Sequence, residues 1–395
     1  MKNLFFIFYL LFFCFNLKAS VSIANKKYST YLDLSFMQNT NLVKGSYYGG
    51  GEMNSSFGML FDFNEKNSLA LNYNILYSGP SVVSESGDLK ERTISQSFTL
   101  EWQKKISEKS RVRPQLFIGK ELRKSGSIGD FDDNLYNNNS KGFGLSLDRY
   151  VSKNSVFVYS ILYRKIEFPN YTDLLTEFRN PGSQTQISGG LYDNNLYRLG
   201  IKWKYRNYFL SSEYTIQKYV SQKVMGEDGL YSDKKQKDGD FEFKAGVESR
   251  FYFLSVYPSA SVILHRSNQN FLRFKSFTDM YPVFIKNAYD YNEYYFSLPS
   301  YFKFIGADFN LSLGYKKRYY TQRPPRNENN DYIYSKKQTN DLLIFDFSFS
   351  RKINELASVM FFFSFVNSSS NNDYDIYIPL NYNAASLGFG YRIKY

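Results

Sequence analysis

The property that most constrains this chain is an alternation with a period of two residues, which recurs from near Tyr28 to the last residue. Leu196–Arg206 shows it most clearly. There Tyr197, Leu199, Ile201, Trp203 and Tyr205 alternate with Arg198, Gly200, Lys202, Lys204 and Arg206. Successive side chains of an extended strand point to opposite faces, so one face of this segment is apolar and ringed and its reverse is basic. The pattern returns at Phe57–Phe63, Leu69–Tyr77, Phe143–Leu147, Phe157–Tyr163, Tyr208–Ile216, Phe309–Tyr315, Leu343–Phe349 and Phe361–Phe365. Ser, Gly, Asn, Thr, Asp or Lys mostly fill the intervening positions, with Leu60 and Leu76 among the exceptions.

Composition narrows what such strands can build. Tyr (37), Phe (38) and Trp (2) make up 19% of 395 residues, yet the mean hydropathy is −0.45. That aromatic load excludes a disordered chain. The one continuous apolar run, Leu4–Leu17, is too little for a helical membrane protein. It follows Met1-Lys2-Asn3 and precedes Lys18-Ala19-Ser20, the layout of a secretory signal. The expected division is a signal peptide over residues 1–19 and a single domain over 20–395. Cys14 is the sole cysteine, so the exported chain would carry none, which excludes a disulfide scaffold, Cys-ligated zinc and a Cys nucleophile. Loss of Lys2 and Lys18 takes the net charge from +12 to +10. In an exported chain that charge points to lipid phosphates or an anionic solute, not to nucleic acid.

The connections alternate in length. Asn64–Asn67, Lys104–Ser110, Val151–Asn154, Arg206-Asn207, Glu248–Arg250, Ile305–Ala307 and Arg351–Leu356 read as short turns. Ser78–Arg92, Arg123–Ser140, Glu167–Asn194, Ser221–Gly239, Arg266–Tyr289, Lys316–Gln338 and Asn367–Asn383 read as longer loops. Short turns on one side and long loops on the other are how transmembrane barrels are built. The fold class expected is therefore all-β: an up-and-down antiparallel transmembrane barrel of about 16 strands, within a range of 14–18. Both termini fall on the short-turn side. A propeller would show a repeated blade, and no internal repeat is present.

The chain ends Ser386-Leu-Gly-Phe-Gly-Tyr-Arg-Ile-Lys-Tyr395, with Leu387, Phe389, Tyr391, Ile393 and Tyr395 on one face. Gly390, Ile393 and Tyr395 resemble the C-terminal signal by which Gram-negative outer-membrane proteins are recognised by the barrel assembly machinery. Tyr395 departs from the commoner terminal Phe. The exported chain as a whole resembles an outer-membrane β-barrel, general-porin-like in size and strand count. That resemblance implies an outer-membrane location, lipid and lipopolysaccharide as surroundings, and the assembly machinery as a partner. It is also compatible with a homotrimer. About ten residues separate Ser20 from the first strand, too few for a plug domain.

By parity, Arg113, Arg164, Arg198, Lys202, Lys204 and Glu213 are candidate pore-lining residues. Asp130, Asp132 and Asp133 lie in Arg123–Ser140, the third loop on the long side. In general porins that loop folds into the lumen, so the three acids are a candidate constriction. A solvated surface loop is the plainer reading, and calcium is a third, although the spacing is not that of an EF-hand. Lys316, Lys317, Arg318, Arg323, Arg326, Lys336 and Lys337, with Lys234, Lys235 and Lys237, would gather anions at the mouth or meet lipopolysaccharide phosphates. His265 is the only histidine, no G-x-S-x-G turn is present, and no metal site or cofactor is expected. The expectation is a non-enzymatic channel passing small polar or anionic solutes through a polar lumen. The alternative is a closed barrel that acts as an adhesin or structural protein through its loops.

Overall fold

The structure is a computed structural model of the chain and describes residues 27–43, 46–79, 92–124, 131, 134–172, 189–273, 283–374 and 380–395. The expected signal peptide lies outside the described residues.

The first ten strands are β1 (Lys27–Val43), β2 (Ser46–Asn64), β3 (Asn67–Gly79), β4 (Arg92–Ser107), β5 (Ser110–Lys124), β6 (Asn138–Ser152), β7 (Ser155–Glu167), β8 (Asn194–Tyr205), β9 (Tyr208–Met225) and β10 (Tyr231–Val247). Then follow β11 (Ser249–Phe251), β12 (Leu254–Val256), β13 (Ser259–Ser267), β14 (Phe271–Arg273), β15 (Val283–Ile285), β16 (Tyr291–Phe304), β17 (Ala307–Tyr320), β18 (Thr339–Lys352), β19 (Ala357–Ser370) and β20 (Tyr382–Lys394). All but β14 and β15 belong to one 18-stranded sheet. Within it β11 continues β10, and β12 continues β13 across Tyr257-Pro258, where proline has no N–H for the ladder. Sixteen staves result, each antiparallel to its neighbour. The barrel closes where β1 pairs with β20, from Asp33↔Lys394 to Val43↔Ala384.

At the closing seam Arg392 grips Asp33 with two nitrogens, Nε donating to Oδ1 at 2.7 Å. Tyr395 and Leu32 exchange backbone hydrogen bonds of 2.8 and 2.9 Å. Gly390 pairs with Met37 on one side and Met360 on the other. A β-carbon there would stand 2.5 Å from the Phe36 carbonyl oxygen, so glycine is what lets the strands meet.

The apolar parity faces outward and is exposed all round: Ile118 is 63%, Leu116 56% and Leu199 54% accessible. Such a face is stable only against hydrocarbon. Its two ends are ringed. Near the short turns Phe157 stacks on Trp203 at 6.1 Å and Phe302 on Phe309 at 4.9 Å. Toward the long loops Tyr163 meets Tyr197 at 5.3 Å and Tyr294 meets Tyr319 at 6.0 Å. The step from Phe157 to Tyr163 along β7 is about 20 Å at a strand's rise per residue. The two girdles thus flank an apolar band, as in outer-membrane barrels.

Three boundaries differ from the sequence reading. Glu248–Arg250 is not a turn; the chain reverses at Tyr252-Phe253, with Tyr252 at φ 44°. Ser221–Gly239 is not a loop but a protruding hairpin, closed by Gly226 N donating to Leu230 O at 2.7 Å. Lys316–Tyr320 belongs to β17. In the last two cases the ladder continues beyond the apolar band, where charged residues stand on both faces and the alternation no longer shows it.

Among the described residues little apolar side chain is buried, and most of it (Tyr219, Val224, Ile285, Ala288, Tyr320) lies at the long-loop end. There the loops form a cap. The Gln269 amide donates to Lys223 O and accepts from Met225 N, at 3.0 and 2.9 Å. Asn270 Nδ2 donates to Met225 O at 2.7 Å, and Arg326 N donates to Asn372 Oδ1 at 2.8 Å.

Candidate channel lining

Residues directly opposite on paired strands share a face, so the lining can be followed from strand to strand. Arg113 faces Ser146, Ser146 faces Ser160, Ser160 faces Gly200 and Gly200 faces Glu213. Glu213 then faces Glu242, Glu242 faces Ile263, Ile263 faces Glu293 and Glu293 faces Arg318. Arg164, Arg198, Lys202 and Lys204 have the same parity on β7 and β8. The structure therefore puts all six sequence-derived candidates on the face opposite Leu116, Ile161 and Leu199, turned into the barrel.

They are not equally free. Arg113 Nη2 donates to Asp148 Oδ1 at 2.9 Å, with Glu101 4.0 Å from its other nitrogen. Arg164 donates to Ser140 Oγ at 2.8 Å and lies 5.6 Å over the Phe117 ring. Arg198 pairs with Glu213 at 3.1 Å. Lys202 sits 5.3 Å over the Phe209 ring. Both Lys202 and Lys204 are exposed, and among the described residues neither has a carboxylate partner. The basic strip is neutralised at its Arg198 end and bare at the other two positions. Asp130, Asp132 and Asp133 lie outside the described residues.

A second polar cluster, spread over β10, β13, β16 and β17, was hidden from sequence reasoning. His265 Nδ1 and Asp240 Oδ1 are 2.6 Å apart. The His265 ring stacks on Tyr291 at 4.6 Å, and Arg318 lies 4.1 Å over the same Tyr291 ring. Glu293, 4% exposed, accepts from Arg318 at 2.7 Å and faces Lys316 Nζ at 3.4 Å. Lys317 points the other way, to Asp341 at 3.3 Å. The basic run 316–318, expected as part of a loop patch, is thus divided between the two faces of a strand. Only the cross-strand register Asp240↔His265↔Tyr291 assembles the cluster, and no local spacing announces it. Ser267 Oγ donates to Asp238 Oδ1 at 2.6 Å, not to His265.

Above His265 a cavity of about 390 Å³ opens between wall and cap. Tyr192, Tyr231, Tyr289, Gln222, Asp238 and Gln269 are among its lining residues.

No family model matches the chain, and no curated protein matches it. Among solved structures it is similar to OmpT, an outer membrane protein of Vibrio cholerae in trimer form, with 10% identity, 94% of this chain and 99% of that one covered and a TM-score of 0.46. It is likewise similar to OccAB3 of Acinetobacter baumannii, with 10% identity, 94% and 100% covered and a TM-score of 0.46. A third is an anion-selective porin from Comamonas acidovorans, with 8% identity, 94% and 100% covered and a TM-score of 0.44. The closed sixteen-stave sheet, with its apolar face turned outward between two aromatic girdles, makes this chain a transmembrane β-barrel of outer-membrane architecture.

Proposed function

We propose that the protein is an outer-membrane channel through which small polar solutes, anions above cations, pass in a water-filled lumen. The observation that carries this reading is the pair Lys202 and Lys204, charged, inward-facing and without a carboxylate among the described residues. A lumen packed shut would leave these ammonium groups desolvated and unpaired, which is prohibitively costly. A watered lumen keeps them hydrated, and their field reaches roughly 8–10 Å into physiological salt, a distance comparable to a pore radius. Lumen charge of one sign favours the opposite ion.

The test is reversal potential across a planar bilayer in a salt gradient. The wild-type protein is expected to prefer anions. The triple variant Arg198→Glu, Lys202→Glu, Lys204→Glu is expected to shift toward cations, most strongly at low salt. Insertion without any current would remove the channel reading. The closed-barrel alternative, with its function in the loops, would then stand, and the knitted cap around Gln269 and Asn372 is what favours it.

A further inference from the structure

Three long-side loops converge on one pair of guanidinium groups. Arg273 comes from β14, Arg326 and Asn330 from the segment between β17 and β18, and Tyr374 from the segment after β19. Arg273 Nη1 and Arg326 Nη1 both donate to Asn330 Oδ1, at 2.5 and 3.0 Å, so these two nitrogens are at most 5.5 Å apart. Both guanidiniums also lie against the Tyr374 ring, at 5.5 and 4.5 Å from its centroid. A third cation, Arg323, is close by, 5.8 Å over Tyr289 and 5.8 Å over Phe271, the residue two before Arg273.

None of the three has a carboxylate partner among the described residues. Burial, with Arg273 and Arg323 acting in the same direction, holds the Arg326 guanidinium below its ordinary pKa range. Like charges gathered this closely repel. Fixing them over aromatic rings and one shared amide oxygen does not remove that repulsion. Each guanidinium has five N–H donors, and Asn330 Oδ1 is the one hydrogen-bond acceptor that the Arg273 and Arg326 guanidiniums have among the described residues. A strongly charged donor array of this kind is incomplete without an anion.

We infer that Arg273 and Arg326, supported by Arg323, form a binding site for a phosphoryl group on the outer side of the barrel. A phosphate carries close to two negative charges at neutral pH and three strong acceptor oxygens, which match two adjacent guanidinium forks. A carboxylate, with one charge and two oxygens, would satisfy one fork. The site would collect a phosphate-bearing solute before it enters the lumen. That transport role rests on the channel reading, whereas binding itself does not.

Calorimetric titration of inorganic phosphate into the full-length protein in detergent at low ionic strength tests the site. Saturable binding is expected. Arg273→Gln and Arg326→Gln should each weaken it about tenfold or more, the range expected when a charge-assisted hydrogen bond is lost. Arg326→Lys keeps the charge without the fork and should lie between. Arg250→Gln, at the short-turn rim where Arg250 pairs with Glu248 at 2.6 Å, should bind as wild type. Heat-modifiable mobility on gels checks that each variant is folded. Absence of saturable binding, or binding untouched by both glutamine variants, overturns the site. Preincubation with lipopolysaccharide separates the sources: abolished binding assigns the site to a lipid headgroup phosphate, and unchanged binding assigns it to a soluble solute. Bilayer current from the same preparation keeps the two readings apart. Current without phosphate binding sinks the site alone, and binding without current sinks the channel alone.

Discussion

The wall of the barrel and the cap above it solve the same problem in opposite ways. In the wall, backbone polar groups are satisfied by the ladder and the apolar side chains are left outside, where lipid receives them. Leu199 and Ile201 enter no core and stay 54% and 42% exposed. In the cap, polar residues are buried beside the few apolar ones: Asn372 is 2%, Gln338 4% and Gln269 8% exposed. There, side-chain amides do what the ladder does below. Asn372 accepts from Arg326 N and donates to Tyr374 O at 2.8 Å, tying two loops together. Stability in the wall is thus a matter of which parity meets lipid. In the cap it is a matter of leaving no amide unpaired.

The largest effect expected from this contrast lies in the wall. Leu199→Arg or Ile201→Arg should cost about 2–4 kcal/mol in urea unfolding from lipid vesicles. Gly200→Arg, one residue away but inward, should cost far less, since only the Ser160 hydroxyl must move aside. Equal losses at both parities would break the distinction. A smaller, local effect is expected in the cap. Gln269→Leu strands the Met225 N–H and the Lys223 carbonyl and should cost about 2 kcal/mol. Hydrogen exchange should quicken at residues 223–225 and 269–271 while the amides of β6–β8 keep their protection. If the whole barrel loosens together, cap and wall are one cooperative unit. The smallest effect is pH-dependent. Burial raises the hydroxyl pKa of Tyr171 and of Tyr289, both outside the strands. The unfolded cap would ionise first, so their contribution is complete below pH about 10 and is lost as pH rises through the folded values. Cap exchange should therefore accelerate above that pH with the wall unaffected, and parallel acceleration of both would contradict it.

The wall was legible in the sequence because lipid reads every second residue. Tyr197, Leu199 and Ile201 against Arg198, Gly200 and Lys202 fix both the strand and its two faces. The alternation fails where lipid ends. Lys234, Lys235 and Lys237 read as loop although β10 already runs through them, because both of its faces are wet there. The Asp240–His265–Tyr291 stack was illegible for another reason. Its members lie far apart along the chain and meet only through the register of three strands. Arg273 and Arg326 meet through one asparagine, which no periodicity marks.

The seam also decides when the wall is whole. Asp33 and Arg392 stand 359 positions apart, yet they are held in one ion pair. Without β20 in place, β1 keeps an unpaired edge on the side that β20 covers, and β19 keeps another. Hydrocarbon does not tolerate such edges, so the docking of β20 and the closing of the cylinder are a single event. A chain that lacks this strand is a sheet, not a smaller barrel, and β20 serves as the clasp of the wall.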